Sequence, residues 1–142
     1  MSDPTRVLFL CTHNSARSQM AEAFLNTSGA GRSQAFSAGT EARGLHPLAV
    51  QAMAEQGIDI SLQESKTFDR YLDQQFDLLI TVCDEANEAC PYFPNAKERR
   101  HWSFPDPSAA RGDDTERFAA FTEVRDAIRE RIEGELLAVR TS

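Results

Sequence analysis

The chain has 142 residues, so we expect residues 1–142 to form one domain with a full hydrophobic core. Hydrophobic residues make up 41% and charged residues 26%, which excludes disordered, collagenous and repeat-rich proteins. The formal net charge of −7 argues against nucleic acid or an anionic membrane as a partner. An anionic substrate therefore needs a local positive site that offsets the unfavourable field of the whole protein.

The predicted secondary structure alternates between strands and helices. In chain order the predicted elements are a buried strand at Val7–Leu10, a helix ending at Gly29 and Gly31, a strand at Ala35–Gly39, a helix between Gly44 and Gly57, a strand at Phe76–Val82, a weaker strand at Arg100–Phe104 and a helix at Thr115–Val139. Such alternation predicts an α/β fold with a mostly parallel four-stranded sheet and helices on both faces. The polar segment Ser61–Arg70 gives the weakest prediction.

The three cysteines, Cys11, Cys83 and Cys90, favour reduced thiols over a disulfide framework, because a small secreted domain normally has an even number. The N-terminus is short and polar, and no apolar run approaches the length of a membrane span. We therefore expect a cytoplasmic protein, in which a cysteine is an inert core residue, a metal ligand or a reactive group.

A reactive or polar side chain lies at or just past the end of each of the four predicted strands. Cys11 directly follows the first strand, Ser37 lies at the end of the second, Cys83 follows the third and Asp106 lies just past the fourth. The carboxyl ends of parallel strands meet at one edge of the sheet, where ligands bind in open α/β folds. The sequence therefore predicts a functional site at this edge.

The segment after the first strand has the features of an oxyanion-binding loop. Its residues are Cys11, Thr12, His13, Asn14, Ser15, Ala16, Arg17 and Ser18. A tight loop between a strand and a helix turns its backbone N–H groups inward, and the Arg17 guanidinium adds a planar fork suited to a tetrahedral oxyanion. The same positive potential favours the thiolate of Cys11. The alternative is a buried cysteine at a strand end with Arg17 on the surface, since Cys-x5-Arg alone often arises by chance.

The other candidate residues have competing interpretations. Asp106 is a candidate general acid for a leaving oxygen, although Asp-Pro is also a common turn.

Cys83 at the same edge as Cys11 is placed to attack an adduct on Cys11. A helical segment would hold the Cα atoms of Cys83 and Cys90 roughly 10 Å apart, so a disulfide between them needs the segment to loop out. Inert thiols remain an alternative, as does a metal site, although Cys-x6-Cys lacks the usual zinc-ligand spacing.

The sequence resembles the thioredoxin-coupled arsenate reductases, which share the fold of the low-molecular-weight protein tyrosine phosphatases. The resemblance covers nearly the whole chain. It is carried by CTHNSARSQMAE at 11–22, SAG at 37–39, GIDIS at 57–61, Thr81-Val82-Cys83 with Cys90-Pro91, and His101-Trp102 with Asp106-Pro107.

The resemblance implies a relay of three cysteines. Cys11 would attack arsenate held by the loop and Arg17, with Asp106 protonating the departing oxygen. Cys83 would then form a disulfide with Cys11 and release arsenite, and Cys90 would form a disulfide with Cys83 that thioredoxin reduces. In this family pattern Ser18 would stabilise the Cys11 thiolate and Asn14 would hold the shape of the loop. Phosphate and sulfate would compete for the loop, no tightly bound cofactor is implied, and we expect a monomer.

Two positions depart from the family pattern. His13 stands where better-known members carry Gly, and we expect its ring to point to solvent rather than to tune the pH profile. Some members bind potassium through residues that match Asn14, Glu22, Ser37 and an aspartate. The position of that aspartate matches Lys66, so we expect its ammonium to replace the ion or at least to weaken the site.

Three other functions compete with thioredoxin-linked arsenate reduction. A low-molecular-weight tyrosine phosphatase would use Cys11, Arg17 and Asp106, but Ser108-Ala109 replaces the aromatic pair of that cleft, so only weak phosphatase activity is expected. A reductase coupled to mycothiol or glutathione would not need the pair Cys83 and Cys90. A non-catalytic oxyanion or thiol sensor is a third alternative, which no basic groove or exposed aromatic row supports.

Overall fold

The computed structural model describes residues 4–84 and 92–137. In these ranges the elements are the strands β1 (Thr5–Cys11), β2 (Ser33–Gly39), β3 (Phe76–Thr81) and β4 (Ala96–His101), and the α-helices α1 (Arg17–Ser28), α2 (Pro47–Ala54) and α3 (Asp114–Ile132). Two short 3-10 helices, Phe68–Tyr71 and Pro107–Ala109, and a π-helical turn, Glu133–Leu137, complete the list. None of the helices in these ranges has the length and apolar character that crossing a membrane requires.

The four strands form one all-parallel sheet in the order β2-β1-β3-β4, which confirms the predicted α/β fold. Cys11 pairs with Gly39 on β2, and Leu10 pairs with Thr81 on β3. Thr81 in turn pairs with His101 on β4. This register brings the carboxyl ends of the strands to one edge, as the sequence predicted.

The two faces of the sheet carry different layers. The buried residues of α1, α2 and α3 pack on the face that holds Phe9 and Cys11. The opposite face, with Leu8 and Leu10, packs against an aromatic cluster that includes residues of the 3-10 helix Phe68–Tyr71. Helical segments therefore cover both faces, with the α-helices of the described ranges on the side of Cys11. Since side chains alternate along a strand, this register directs Cys11 toward α1.

Local signals account for where the helices begin and end. Pro47 occupies the first turn of α2, and the Nδ1 atom of His46 accepts a hydrogen bond from the Leu48 N–H at 3.1 Å. A reciprocal capping box between Asp113 and Glu116 starts α3. The predicted helix Thr115–Val139 therefore begins one residue earlier than expected. It becomes a π-helical turn after Ile132, and its predicted last residues lie outside the described ranges.

The predicted fourth strand was wrong in position. We expected Arg100–Phe104 from its apolar residues, but β4 spans Ala96–His101. β4 is an edge strand, and its middle residues are exposed and charged, so hydrophobicity does not mark it. The buried side chains of Trp102 and Phe104 follow the strand and belong to the core under the α-helices.

Candidate functional site

The loop between β1 and α1 surrounds the side chain of Cys11, which is a buried free cysteine. The Sγ atom of Cys11 lies 2.8 Å from Ser18 Oγ and accepts the backbone N–H of Asn14 at 3.3 Å. The side-chain amide of Asn14 donates to the same Ser18 oxygen at 2.8 Å. Because Ser18 Oγ already accepts that bond, its own proton is available to the sulfur, an arrangement that stabilises a thiolate.

Asn14 holds the loop in an unusual backbone conformation. Its φ of 47° lies in the left-handed region, which Asn tolerates better than most residues. Its side-chain amide also donates to Ser37 Oγ at 3.0 Å, and its Oδ1 atom accepts the Lys66 N–H at 2.8 Å and the Gln19 Nε2–H at 2.9 Å. Asn14 is completely buried, so these bonds satisfy its polar groups and hold the turn that aims the backbone N–H at Cys11.

A segment that the sequence left uncertain, residues 63–66, supports this loop from outside. Ser65 donates its hydroxyl to the Asn14 carbonyl at 2.9 Å, and Gln63 donates to the Gln19 side chain at 2.8 Å. Gln19 also donates to the Glu64 carbonyl at 2.9 Å. The sequence did not mark Gln19, Gln63 or Ser65 as supporting residues, because polar side chains such as these give no sign of burial.

Arg17 and Asp106 come together at the carboxyl edge of the sheet. Arg17 is 2% exposed, and its Nη1 atom donates to the Phe104 carbonyl at 3.1 Å. Its Nη2 atom lies 3.9 Å from Asp106 Oδ2. Asp106 Oδ1 accepts the Ser108 N–H at 2.9 Å and the Ser108 hydroxyl at 2.7 Å. Asp106 is thus both the cap of a turn and a carboxyl group whose second oxygen faces the guanidinium, so the two interpretations from sequence are compatible.

The remaining loop residues mainly contribute backbone groups. The carbonyls of Thr12 and His13 accept the N–H groups of Glu41 and Arg43 at 2.9 and 3.2 Å. The Ser15 carbonyl accepts the His46 N–H at 3.0 Å. Ala16 is buried and directly precedes α1, whereas His13 is half-buried. These bonds join the loop to the segment after β2 and to the start of α2.

Cys83 lies two residues past the end of β3 and is completely buried. The strand next to it is β1, and the Val82 N–H donates to the Leu10 carbonyl at 2.8 Å. Cys11 is the last residue of β1 and is level with Val82, so Cys83 lies one residue further along the same edge of the sheet. Cys90 lies outside the described residues, so its part in a disulfide relay stays a prediction.

Lys66 lies among the residues predicted to hold potassium. Its buried Nζ atom is 3.4 Å from Ser37 Oγ and 3.6 Å from Glu22 Oε1, and it donates to the Glu64 carbonyl at 2.7 Å. Ser37 donates to the same Glu22 oxygen at 2.7 Å. Burial lowers the pKa of Lys66, while the charge of Glu22 opposes that shift. Among residues 4–84 and 92–137, no group of three or more His, Cys, Asp and Glu side chains is arranged to hold a metal ion.

The fold and the site define an α/β protein with a buried free cysteine at the end of the first strand, followed by a tight loop that leads into α1. The chain belongs to the low molecular weight phosphotyrosine protein phosphatase family, whose model matches residues 6–141.

Within this family, the chain is similar to proteins named arsenate reductase. The chain is 50% identical over 126 residues to the arsenate reductase of Halalkalibacterium halodurans, covering 89% of this chain and 91% of that protein. A solved arsenate reductase in the phosphate-binding state matches with a TM-score of 0.76 at 33% identity, covering 95% of this chain and 98% of the other. A thioredoxin-dependent arsenate reductase of Corynebacterium glutamicum matches with a TM-score of 0.70 at 26% identity, covering 99% of this chain and 63% of the other. These matches confirm the family resemblance predicted from the sequence.

Proposed function

We propose that this chain reduces arsenate to arsenite. The observation that carries the proposal is the placement of Cys11 Sγ against the Ser18 hydroxyl and a loop N–H, with the buried Arg17 at the start of the helix that follows. This arrangement suits a thiolate nucleophile below a tetrahedral oxyanion. Relatives named arsenate reductase, at up to 50% identity among those compared above, support arsenate as the substrate.

The first step joins Cys11 to arsenic. The Cys11 thiolate attacks the arsenic of arsenate, an oxygen departs as water, and Asp106 supplies the proton for that oxygen. The Asp106 oxygen that faces Arg17 is the group placed for this transfer, since Ser108 occupies the other oxygen. Arsenic is still pentavalent in the resulting thiol adduct, so arsenic is not reduced in this step.

The second step reduces arsenic. Cys83 attacks Cys11 Sγ, the sulfur–arsenic bond breaks, and its electron pair stays on arsenic, which leaves as arsenite. A Cys11–Cys83 disulfide forms. Cys90 then attacks Cys83, restoring the Cys11 thiolate and leaving a Cys83–Cys90 disulfide, which a reduced thioredoxin returns to two thiols. The position of Cys83 just past the end of β3, beside the strand that ends at Cys11, supports the first disulfide.

A coupled assay with thioredoxin, thioredoxin reductase and NADPH tests the relay. We expect arsenate to cause continuous NADPH oxidation by the wild-type chain, and the Cys90→Ser variant to stop after one turnover because it cannot release the Cys11–Cys83 disulfide. The matched control is hydrolysis of para-nitrophenyl phosphate, which needs Cys11 but neither resolving cysteine and should survive at a weak level. Full thioredoxin-linked turnover by Cys90→Ser would contradict the relay.

We also propose that the Lys66 ammonium takes the place of a potassium ion beneath the loop. Potassium should then give no greater activity or melting temperature than sodium at equal ionic strength. The Lys66→Met variant leaves the Glu22 carboxylate without its buried partner, and we expect it to lose about 1–3 kcal/mol of unfolding free energy. Thermal melts of the wild type and of Lys66→Met in the two salts measure both effects. A melting temperature of the wild type that is higher in potassium than in sodium would contradict the proposal.

A further inference from the structure

An open cavity of about 580 Å³ lies between the first turns of α2 and α3. Its lining includes His46, Gln51, Asp114, Thr115, Arg117 and Phe118. The cavity adjoins the anion loop, because the backbone N–H of His46 donates to the Ser15 carbonyl at 3.0 Å. None of the steps proposed above uses these side chains.

Arg117 brings a positive charge to this cavity, and among the described residues no carboxylate contacts it directly, although Asp114 lines the same wall. Its side chain is half-buried, yet within 4–84 and 92–137 no carboxylate lies within 4.0 Å of its guanidinium. By contrast, the half-buried or buried Arg100 and Arg125 each contact a carboxylate within 3 Å. In a chain of net charge −7, a partly desolvated guanidinium that contacts no carboxylate of the described residues points to an anion as its partner.

His46 adds a hydrogen-bond donor to the same cavity. Its Nδ1 atom accepts the Leu48 N–H, so the neutral ring carries its proton on Nε2. Burial and the charge of Arg117 lower the pKa of His46 against the opposing effect of Asp106, so the ring stays neutral at pH 7. Within the described ranges, no hydrogen-bond partner of Nε2 is present, and the ring is held by its contact with Phe121 at 4.6 Å between centroids.

We propose that this cavity is a second oxyanion subsite, in which Arg117 and the Nε2–H of His46 hold arsenate or phosphate at the rim of the loop. Asp114 on the same wall accepts a hydrogen bond from an oxyanion that carries a proton and repels one that does not. The subsite therefore favours arsenate and phosphate over sulfate. Its role as an entry site for arsenate rests on the proposed function, whereas its binding of phosphate does not.

An NMR titration of the reduced, ¹⁵N-labelled full chain with sodium phosphate at constant ionic strength tests the binding. We expect the amides of Leu48 and Thr115 to shift together with those of the loop. The Arg117→Gln variant should bind phosphate at the rim about tenfold more weakly, the equivalent of one charge-assisted hydrogen bond, with the loop response unchanged. His46→Asn keeps a helix cap but loses the ring donor, so it should also bind phosphate more weakly at the rim.

The control is Arg32→Gln, which removes the same charge from an exposed position at the start of β2, at the opposite edge of the sheet. It should leave both responses unchanged. Wild-type Leu48 and Thr115 amides that do not respond, or that respond with equal affinity in Arg117→Gln, would overturn the subsite. Sulfate that binds the rim as tightly as phosphate would overturn the role given to Asp114.

Arsenate kinetics test the entry role separately. Arg117→Gln should raise the KM for arsenate severalfold without changing kcat, while Arg32→Gln should change neither. An unchanged KM would refute the entry role. A wild-type chain that turns over no arsenate would refute the proposed function, and the phosphate titration would still decide whether the subsite exists.

Discussion

Replacing Cys11 with serine is expected to abolish arsenate reduction and phosphate ester hydrolysis together, each by at least about 10⁴-fold. In the proposed mechanism both reactions begin with attack by the Cys11 thiolate, and a serine hydroxyl is not ionised at neutral pH. The groups in contact with this position are the Asn14 N–H, which can only donate, and the Ser18 hydroxyl, which is too weak a base to take a proton from that serine. NADPH-coupled reduction and para-nitrophenyl phosphate hydrolysis measure the two losses.

Two controls separate chemistry from damage to the loop. Cys11→Ser should still bind phosphate, since the backbone N–H groups and Arg17 remain. Cys83→Ser should keep ester hydrolysis but lose continuous arsenate reduction, because Cys83 acts only after the adduct has formed. If Cys11→Ser retained ester hydrolysis near the wild-type rate, Cys11 would not be the nucleophile.

Replacing Arg17 with lysine is expected to lower kcat for arsenate by about 10²–10³-fold, the usual effect of losing one preorganised oxyanion donor. The charge is kept, but lysine has no planar fork for two oxygens of the anion. It also cannot reproduce the bond from Nη1 to the Phe104 carbonyl while another nitrogen lies 3.9 Å from Asp106. Steady-state kinetics, together with phosphate as a competitive inhibitor, separate the loss in kcat from the loss in binding.

The matched control is Arg43→Lys, since Arg43 lies on the segment bonded to the loop but its side chain is exposed and paired with Glu41. We expect kcat to change by less than about twofold, because exposed ion pairs contribute little. Equal losses in Arg17→Lys and Arg43→Lys would show that the effect does not come from the buried fork of Arg17.

Much of the fold was predictable because its signals are local. The apolar run that becomes β1 and the glycine that ends α1 each act over a few residues. β4 was misplaced because an exposed edge strand needs only backbone pairing with β3, and backbone hydrogen bonds place no demand on hydrophobicity. The sequence pattern marked the buried residues after the strand instead.

The sequence by itself determined the position of Cys11, Arg17 and Ser18 between a strand and a helix, from which the chemistry of the site is proposed. The pattern is a cysteine at a strand end, followed after five residues by Arg17 and Ser18 at the start of a helix. It predicts a loop with inward N–H groups, because that geometry depends on the adjacent strand and helix, and the Asn14 N–H is directed at Cys11. Only the tertiary structure decided what holds this loop. The support from residues 63–66, the ammonium of Lys66 beside Glu22 and the approach of Asp106 to Arg17 all join segments far apart in the chain. Their polar side chains have no periodicity that reports burial, so their roles follow from packing alone.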